Sequence, residues 1–311
     1  MATSTKPSAN VLAATAGKIY RSVGFSKASN FWLWLLCAGM MTAFAGTRLK
    51  YLDLYGTFCG SATPGGRDLA SPGECLYYLM PGWYQIGIMA HLASILPASL
   101  LACIQFIPVV RRKALRLHRV IGWAAVVLSI PGTITSVMIS PRAMGGGLDT
   151  ISMVCLLAIM FPTALYFGCI NAKRHKIAEH RAWMLRAWVY GGSIVTMRIL
   201  MIIFVMIISG VGGYYYPEPC DKINYLLKSQ EATLARYPDC ASFFSGEDPE
   251  KHIAVLATVF TKDRVHTAAV LNLVFGTSGW TAIFLNTFFV ELYLRNESKG
   301  RQVANTTKKS S

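Results

Sequence analysis

Four histidines lie in or beside long apolar stretches of this sequence, where titratable side chains are rare. His118 and His180 occupy equivalent positions at the entrances of two such stretches, and His91 and His266 lie toward the opposite side. Haem in a membrane is held by pairs of neutral imidazoles from facing helices. One hypothesis is therefore haem ligation, with His118 and His180 as the metal-binding pair. A histidine at a membrane surface can also contact a lipid headgroup, and both interpretations stay open.

An arginine inside an apolar segment is the second candidate. Arg198, in VTMRILM, lies about ten residues into a predicted span, or ~15 Å deep at helical rise. Near the midplane an arginine costs at least ~2.5–3.5 kcal/mol, so such residues usually face the bundle interior. Arg198 could act with His91 and His180 as an acid/base or anion-stabilising group. The alternative is a structural arginine bonded to Asn272 or Asn286.

Two basic segments resemble each other. RRKALRLHR (111–119) and KRHKIAEHR (173–181) align without gaps, and each begins with a basic pair and ends in His-Arg. The similarity predicts a duplicated hairpin, formed by spans two and three and by spans four and five, as in several transporters. A coincidence of two basic loops explains the pattern equally well.

The arginines near these segments suit phosphate. A guanidinium offers paired donors to an anion, and Arg119, Arg181 and Arg186 would lie at the membrane surface. These three residues could hold anionic lipid headgroups or a phosphorylated amphiphile. Anchoring of the topology by positive charge is the simpler explanation.

The elements that must position these residues are membrane helices. The sequence is 53% hydrophobic and only 14% charged over 311 residues, which is unlike a water-soluble fold. A span needs roughly 20 apolar residues. Six stretches qualify and predict an all-α polytopic transmembrane bundle: 30–47, 83–109, 120–139, 150–170, 187–209 and 267–294.

The distribution of charge predicts the orientation. With six spans, 19 Lys and Arg lie on the side of the termini and 10 on the other side. Positive residues favour the cytoplasm, so both termini are predicted to be cytoplasmic in a plasma membrane or endomembrane, and nucleic-acid binding is not indicated. The predicted division is an N-terminal tail at 1–29, which could instead be a mitochondrial presequence, a helical domain at 30–294 with exterior loops 48–82 and 210–266, and a C-terminal tail at 295–311.

Four cysteines fall in the two predicted exterior loops. Cys59 and Cys75 share the first loop, and Cys220 and Cys240 share the second. Disulfides persist in oxidising compartments, so these residues are expected to be bridged. One bridge within each loop is the simplest of the three connectivities.

The second exterior loop contains an apolar run and a group of tyrosines. The run KHIAVLATVF predicts an amphipathic helix at about 250–261, lying in the membrane interface. Tyr214, Tyr215 and Tyr216 are typical of an aromatic belt. The chain has no G-x-S-x-G, P-loop, GxGxxG, CxxC or HExxH pattern.

At LHRVIGW (117–123) and EHRAWMLRAW (179–188) the sequence resembles the predicted membrane protein family of unknown function numbered 2306, found in bacteria and fungi. The resemblance covers roughly residues 80–210. It implies a compact helical membrane domain, allows a role in fungal secondary metabolism, and brings no established activity. The positions that carry it are His91, His118, Arg119, Gly122, His180, Arg181, Trp183, Met184 and Arg186.

Three functions fit these observations. The first is a buried His/Arg site that binds haem or a quinone-like or other amphiphilic ligand for redox chemistry. The residues predicted to bind this cofactor are His91, His118, His180, His266, Arg119, Arg181 and Arg186. The second is a cofactor-free membrane enzyme that tailors a lipid-soluble secondary metabolite. The third is a transporter of a small solute. Membrane lipids and a lipophilic small molecule are the expected partners.

Overall fold

The computed structural model describes residue 17 and residues 20–309, with side chains up to residue 300. Within this part, six helices are long and apolar enough to cross a membrane, which confirms the predicted helical bundle. The predicted N-terminal tail and the alternative presequence lie mostly outside the described residues. The spans are Ala28–Leu52, Trp83–Gln105, Leu115–Ile139, Leu148–Lys173, Ile177–Val211 and Arg264–Gly300.

Seven long helices build these spans, because the fifth span consists of two helices that meet at Gly192. They are α1 (Ala28–Arg48), α2 (Trp83–Gln105), α3 (Leu115–Ile139), α4 (Leu148–Lys173), α5 (Ile177–Gly191), α6 (Ser193–Val211) and α7 (Arg264–Lys309). Short α-helices are Cys75–Tyr78, Pro108–Lys113, Cys220–Leu227, Gln230–Arg236 and Ala241–Ser245. Single turns of tighter or wider helix are Leu49–Leu52, Leu54–Phe58, Gly60–Ala62, Ala143–Gly146 and Pro238–Cys240.

Several helices begin earlier than hydropathy predicts. α3 begins at Leu115 rather than 120, and α5 begins at Ile177 rather than 187. As a result His118 and His180 lie within helices rather than before them. Charged side chains end an apolar window but do not end a helix, because Arg, Leu, Glu and Ala all favour helical backbone.

The chain divides into two compact units. The first comprises residues 1–49 and 94–129, and the second comprises residues 50–93 and 130–311. In the first unit α1 packs on the following helix, where Trp34 Nε1 donates to the Cys103 carbonyl at 3.4 Å.

In the second unit α7 packs against α4, α5 and α6. Small residues make the close packing possible: a side chain at Gly279 would meet Met153 of α4, and Ser278 is fully buried. Membrane helices commonly associate through such small residues, since lipid gives no hydrophobic driving force between helices. The remaining core of this unit is rich in methionine and valine.

Large apolar side chains point outward along the spans. Ile134, Ile202 and Phe284 are each more than 60% exposed, at 63%, 69% and 69%. Lipid is the solvent that accepts such a surface, so the structure and the hydropathy agree on an integral, multi-pass membrane protein. The cytoplasmic position of the termini stays a prediction.

A two-stranded antiparallel sheet follows α6. Strand β1 (Tyr215–Pro219) pairs with β2 (His252–Leu256), and Glu218 lies opposite Ile253. The predicted amphipathic helix at 250–261 is therefore wrong. The run HIAVL contains two β-branched residues, which favour a strand. Its backbone pairs with that of β1 in an antiparallel ladder.

Both predicted disulfides are confirmed. Cys59 bonds to Cys75, and Cys220 bonds to Cys240, so each loop is closed on itself. The two segments 48–82 and 210–266 are called the disulfide-bonded loops below.

Candidate functional site

His91 lies on α2 and contacts the neighbouring α3. Its Nδ1 is 2.8 Å from the carbonyl oxygen of Gly132, which is buried next to Pro131. A carbonyl only accepts, so Nδ1 must carry the proton and donate it. The other ring nitrogen, Nε2, then keeps its lone pair and can accept a proton or bind a metal.

His180 repeats this arrangement on another pair of helices. From α5, its Nδ1 donates to the carbonyl of Gly168 on α4, again at 2.8 Å. Gly168 is also the place where Met184 packs closely on α4. His180 therefore presents an Nε2 base held in a fixed orientation, as His91 does.

The other predicted histidines have different surroundings. His118 is half-buried and Arg119 is exposed, and both belong to the first unit. His180 belongs to the second unit, so the predicted pairing of His118 with His180 stays a prediction. His266 lies in the first turn of α7, with Nδ1 2.9 Å from the Thr261 hydroxyl. Among the described residues, no group of three or more His, Cys, Asp or Glu could hold a metal ion.

Two of the predicted phosphate-binding arginines have carboxylate partners. Arg186 of α5 makes two hydrogen bonds to Glu291 of α7, at 2.5 and 2.9 Å. Arg181 donates to Glu297 at 2.6 Å, one turn and a half further along α7. These pairs fasten α5 to α7, and each guanidinium would have to leave its carboxylate in order to bind a phosphate in the same way.

Arg198 lies on α6 and faces the interior of the second unit. Its guanidinium carbon is 5.4 Å from the centre of the Phe275 ring, and Nη1 is 3.5 Å from the sulfur of Met201. The described hydrogen bonds give Asn272 and Asn286 other partners, Glu218 and the Val189 carbonyl respectively. Both bonds use the amide N–H of the asparagine, so the alternative in which Arg198 donates to an asparagine oxygen stays a prediction.

A cluster of three charged residues lies where the disulfide-bonded loops meet α7. Glu74, Glu218 and Lys222, called the charged cluster below, are only 4%, 1% and 1% exposed. The Lys222 ammonium is 3.3 Å from Glu218 and 3.8 Å from Glu74. Two buried carboxylates therefore share one buried cation.

The local backbone explains how Lys222 reaches Glu74. Gly73 has a φ of +85°, and a Cβ there would overlap the Lys222 side chain. Only glycine meets both requirements, since it accepts a positive φ and leaves space for a close approach. Cys75 and Cys220, next to these residues, fix the two segments through their disulfides.

Further polar groups surround the two carboxylates. Glu74 accepts from the Met144 backbone N–H at 3.0 Å and from the Tyr78 hydroxyl at 3.4 Å. Glu218 accepts from Asn272 of α7 at 2.6 Å. Burial raises the pKa of both carboxyls, while Lys222 opposes the rise.

The charges of both Glu74 and Arg198 affect the pKa of Tyr78, which lies beside the charged cluster. Burial and the neighbouring Glu74 raise the pKa of Tyr78, and the positive charge of Arg198 opposes that rise. On the other side, burial and then Glu218 raise the pKa of Tyr216 to about 12. Arg198, predicted from its position in a span, thus lies near a polar centre that the sequence did not reveal.

Only a weak signal for this cluster is present in the amino-acid sequence. Glu218 and Lys222 are four residues apart in PEPCDK, and Glu74 directly precedes a cysteine. Acidic and basic residues in a loop between spans are usually solvated, so neither feature indicates burial.

Half of the chain is similar to a protein from a fungus. Over an alignment of 174 residues, the chain is 25% identical to the Ava biosynthesis cluster protein G of Aspergillus versicolor. The alignment covers 50% of this chain and 51% of that protein. The chain thus matches about half the length of this curated relative. No solved structure matches the chain significantly.

The family comparison covers the spans that hold the predicted histidines. Residues 88–215 match the model of a family described as "Predicted membrane protein (DUF2306)". His91, His180 and Arg198 lie inside this segment, whereas Glu74, Glu218 and Lys222 lie outside it. The resemblance read from the His-Arg motifs is confirmed: from residue 88 to residue 215, this chain is similar to the predicted membrane proteins of family DUF2306.

Proposed function

We propose that this protein is a membrane-bound tailoring enzyme, which acts on a lipid-soluble intermediate of a biosynthetic pathway by acid/base chemistry without a bound cofactor. The observation that carries the proposal is the burial of Glu74, Glu218 and Lys222 next to Tyr78, whose hydroxyl donates to Glu74 at 3.4 Å. Ionisable groups whose pKa values are shifted by burial concentrate at functional sites. The name of the Aspergillus relative, a biosynthesis cluster protein, supports the pathway context.

The charge arrangement suits proton transfer. Two carboxylates around one ammonium carry a net negative charge in an environment that disfavours it, so the pair retains a proton more readily than exposed carboxyls do. One carboxyl can then donate a proton while the other accepts one. Arg198 would stabilise negative charge that develops on the substrate between these groups.

His91, within the second span, and His180, near the start of the fifth span, are the proposed bases. Each imidazole is oriented by its hydrogen bond to a glycine carbonyl, at 2.8 Å in both cases. An Nε2 atom held in this way is prepared to accept a proton from a substrate that enters from the lipid.

The same hydrogen bonds favour one second candidate, haem binding. Metal-ligating histidines almost always donate their other ring nitrogen to a carbonyl, carboxylate or water. Protein purified from cells supplied with haem separates the two candidates. A Soret band that disappears in the His180→Ala variant would support haem, and a colourless folded protein would leave the cofactor-free enzyme.

The test of the enzyme is product analysis of a strain that lacks the gene. Loss of a conversion step leads to accumulation of the precursor, whereas loss of a transporter leads to accumulation of the final product inside cells. Complementation with wild type should restore the product, and Glu218→Gln should not. The control is Asp248→Asn, in a partly exposed ion pair of the same loop.

Folding of the variant must be checked separately. Glu218→Gln keeps the size of the side chain, and its expression and elution in detergent should match those of wild type. A folded Glu218→Gln variant that restores full conversion would overturn the role of the cluster. Accumulation of the final product in the deletion strain would overturn the enzyme itself.

A further inference from the structure

A cleft of about 400 Å³ opens between the two disulfide-bonded loops. It is called the loop cleft below, and its walls include Asp68 of the first loop, Lys228 of the second loop and Arg264 at the start of α7. Leu79 and Leu226 form an apolar part of the wall. Asn224, Tyr225 and Leu226 of the short helix Cys220–Leu227 line the loop cleft, whereas Lys222 of the same helix belongs to the charged cluster.

The charges of the loop cleft are unbalanced. Among the described residues, neither Lys228 nor Arg264 lies within 4.0 Å of a carboxylate oxygen. Asp68 is the acidic residue of the wall, and it already accepts from the Ser61 backbone N–H at 2.9 Å. The cleft therefore has two available cations and one carboxylate that is engaged within the protein.

The backbone at Lys228 adds a separate observation. This residue ends the helix Cys220–Leu227 with a φ of +57°, in the left-handed region. Glycine or asparagine is favoured at such a position, and a lysine there is conformationally costly. Asparagine fits this backbone at least as well as lysine, so Lys228→Asn removes the charge without adding strain at the helix end.

We propose that the loop cleft binds an oxyanion, a carboxylate or a phosphate, that is part of an amphiphilic molecule. Lys228 and Arg264 bind the anion, and Leu79 with Leu226 contacts the adjoining apolar part. Guanidinium and ammonium groups are the usual partners of such anions in proteins. The site goes beyond the proposed function, because binding here requires no chemistry at the charged cluster.

The position of Arg264 explains the choice of an amphiphile. It is the first residue of α7 and of the sixth span, so it lies at the end of a membrane helix. Basic side chains at this level meet lipid headgroups and other molecules with a polar end. Both a lipid headgroup and a free anionic metabolite have the required chemistry.

Binding to the full-length protein in detergent at low salt tests the proposal. The probes are short-chain phosphatidate, short-chain phosphatidylcholine and inorganic phosphate, each titrated by calorimetry. Wild type should bind phosphatidate more tightly than phosphatidylcholine. Additional binding of inorganic phosphate would identify a site for free anions, and binding of phosphatidate alone would identify a site for amphiphiles with an anionic headgroup.

Two matched variants make the test specific. Lys228→Asn removes the charge and suits the left-handed backbone, so it should weaken phosphatidate binding by about tenfold or more while thermal stability is kept or raised. Lys262→Asn is the control, because Lys262 is exposed, has a φ of +56° and does not line the cleft. Equal binding by Lys228→Asn and wild type, equal loss in both variants, or no preference of wild type for phosphatidate would overturn the proposal.

Discussion

Replacement of Lys222 by methionine should destabilise the disulfide-bonded loops in a pH-dependent way. The ammonium is 3.3 and 3.8 Å from two buried carboxylates. At an effective dielectric constant of about 20, these contacts correspond to about 5 and about 4 kcal/mol of attraction before desolvation is subtracted. Measured losses for a buried pair that loses one partner are about 3–5 kcal/mol, and we expect a loss of that size at pH 8.

The expected loss becomes smaller in acid. Burial raises the pKa of Glu74 and Glu218 above the ordinary value of 4.5, and without Lys222 both values rise further. For a carboxyl with a raised pKa, the contribution to stability is complete below the unfolded pKa and is lost as the pH rises through the folded pKa. At pH 4.5 or lower the change from lysine to methionine should cost only about 1.5 kcal/mol or less, as for other swaps of similar volume.

Thermal unfolding in detergent, followed by tryptophan fluorescence at several pH values, measures this effect. Lys251→Met is the control, because Lys251 forms a partly exposed ion pair with Asp248 at 3.8 Å. Such pairs contribute at most about 1 kcal/mol. The reasoning is refuted if Lys222→Met is as mild as Lys251→Met, or if its loss is the same at pH 4.5 and pH 8.

The remaining predictions concern the packing of the second unit. Glu291→Gln should cost about 1 kcal/mol or less, because it removes the charge, but not the oxygen acceptor, opposite Arg186 in a partly exposed pair between α5 and α7, and detergent unfolding curves would show the loss. Cys220→Ser opens the disulfide of the second loop and should cost about 3 kcal/mol, measured as faster proteolysis of that loop. Gly279→Leu should reduce the yield of folded protein strongly, since α4 leaves no room for a side chain, whereas Gly210→Leu, which faces open space, should be tolerated.

The spans could be predicted because their signal is local. A bilayer core of about 30 Å requires a continuous apolar run, and each segment meets that requirement through its own residues. The disulfide partners were predictable for a similar reason, as each pair lies within one loop. The positions of His91 and Arg198 inside spans followed from the same runs.

The site itself depended on contacts that no local pattern encodes. Glu74 and Lys222 are far apart in sequence, and only the folding of both loops onto α7 buries them together. Strand β2 likewise depends on pairing with β1. Its own residues, taken alone, predict a helix instead. Which segments lie in lipid can be predicted from composition, since transfer from water to lipid is nearly additive along the chain. Which charges are buried follows only from the folded arrangement, because the energy of a buried charge depends on its neighbours in space.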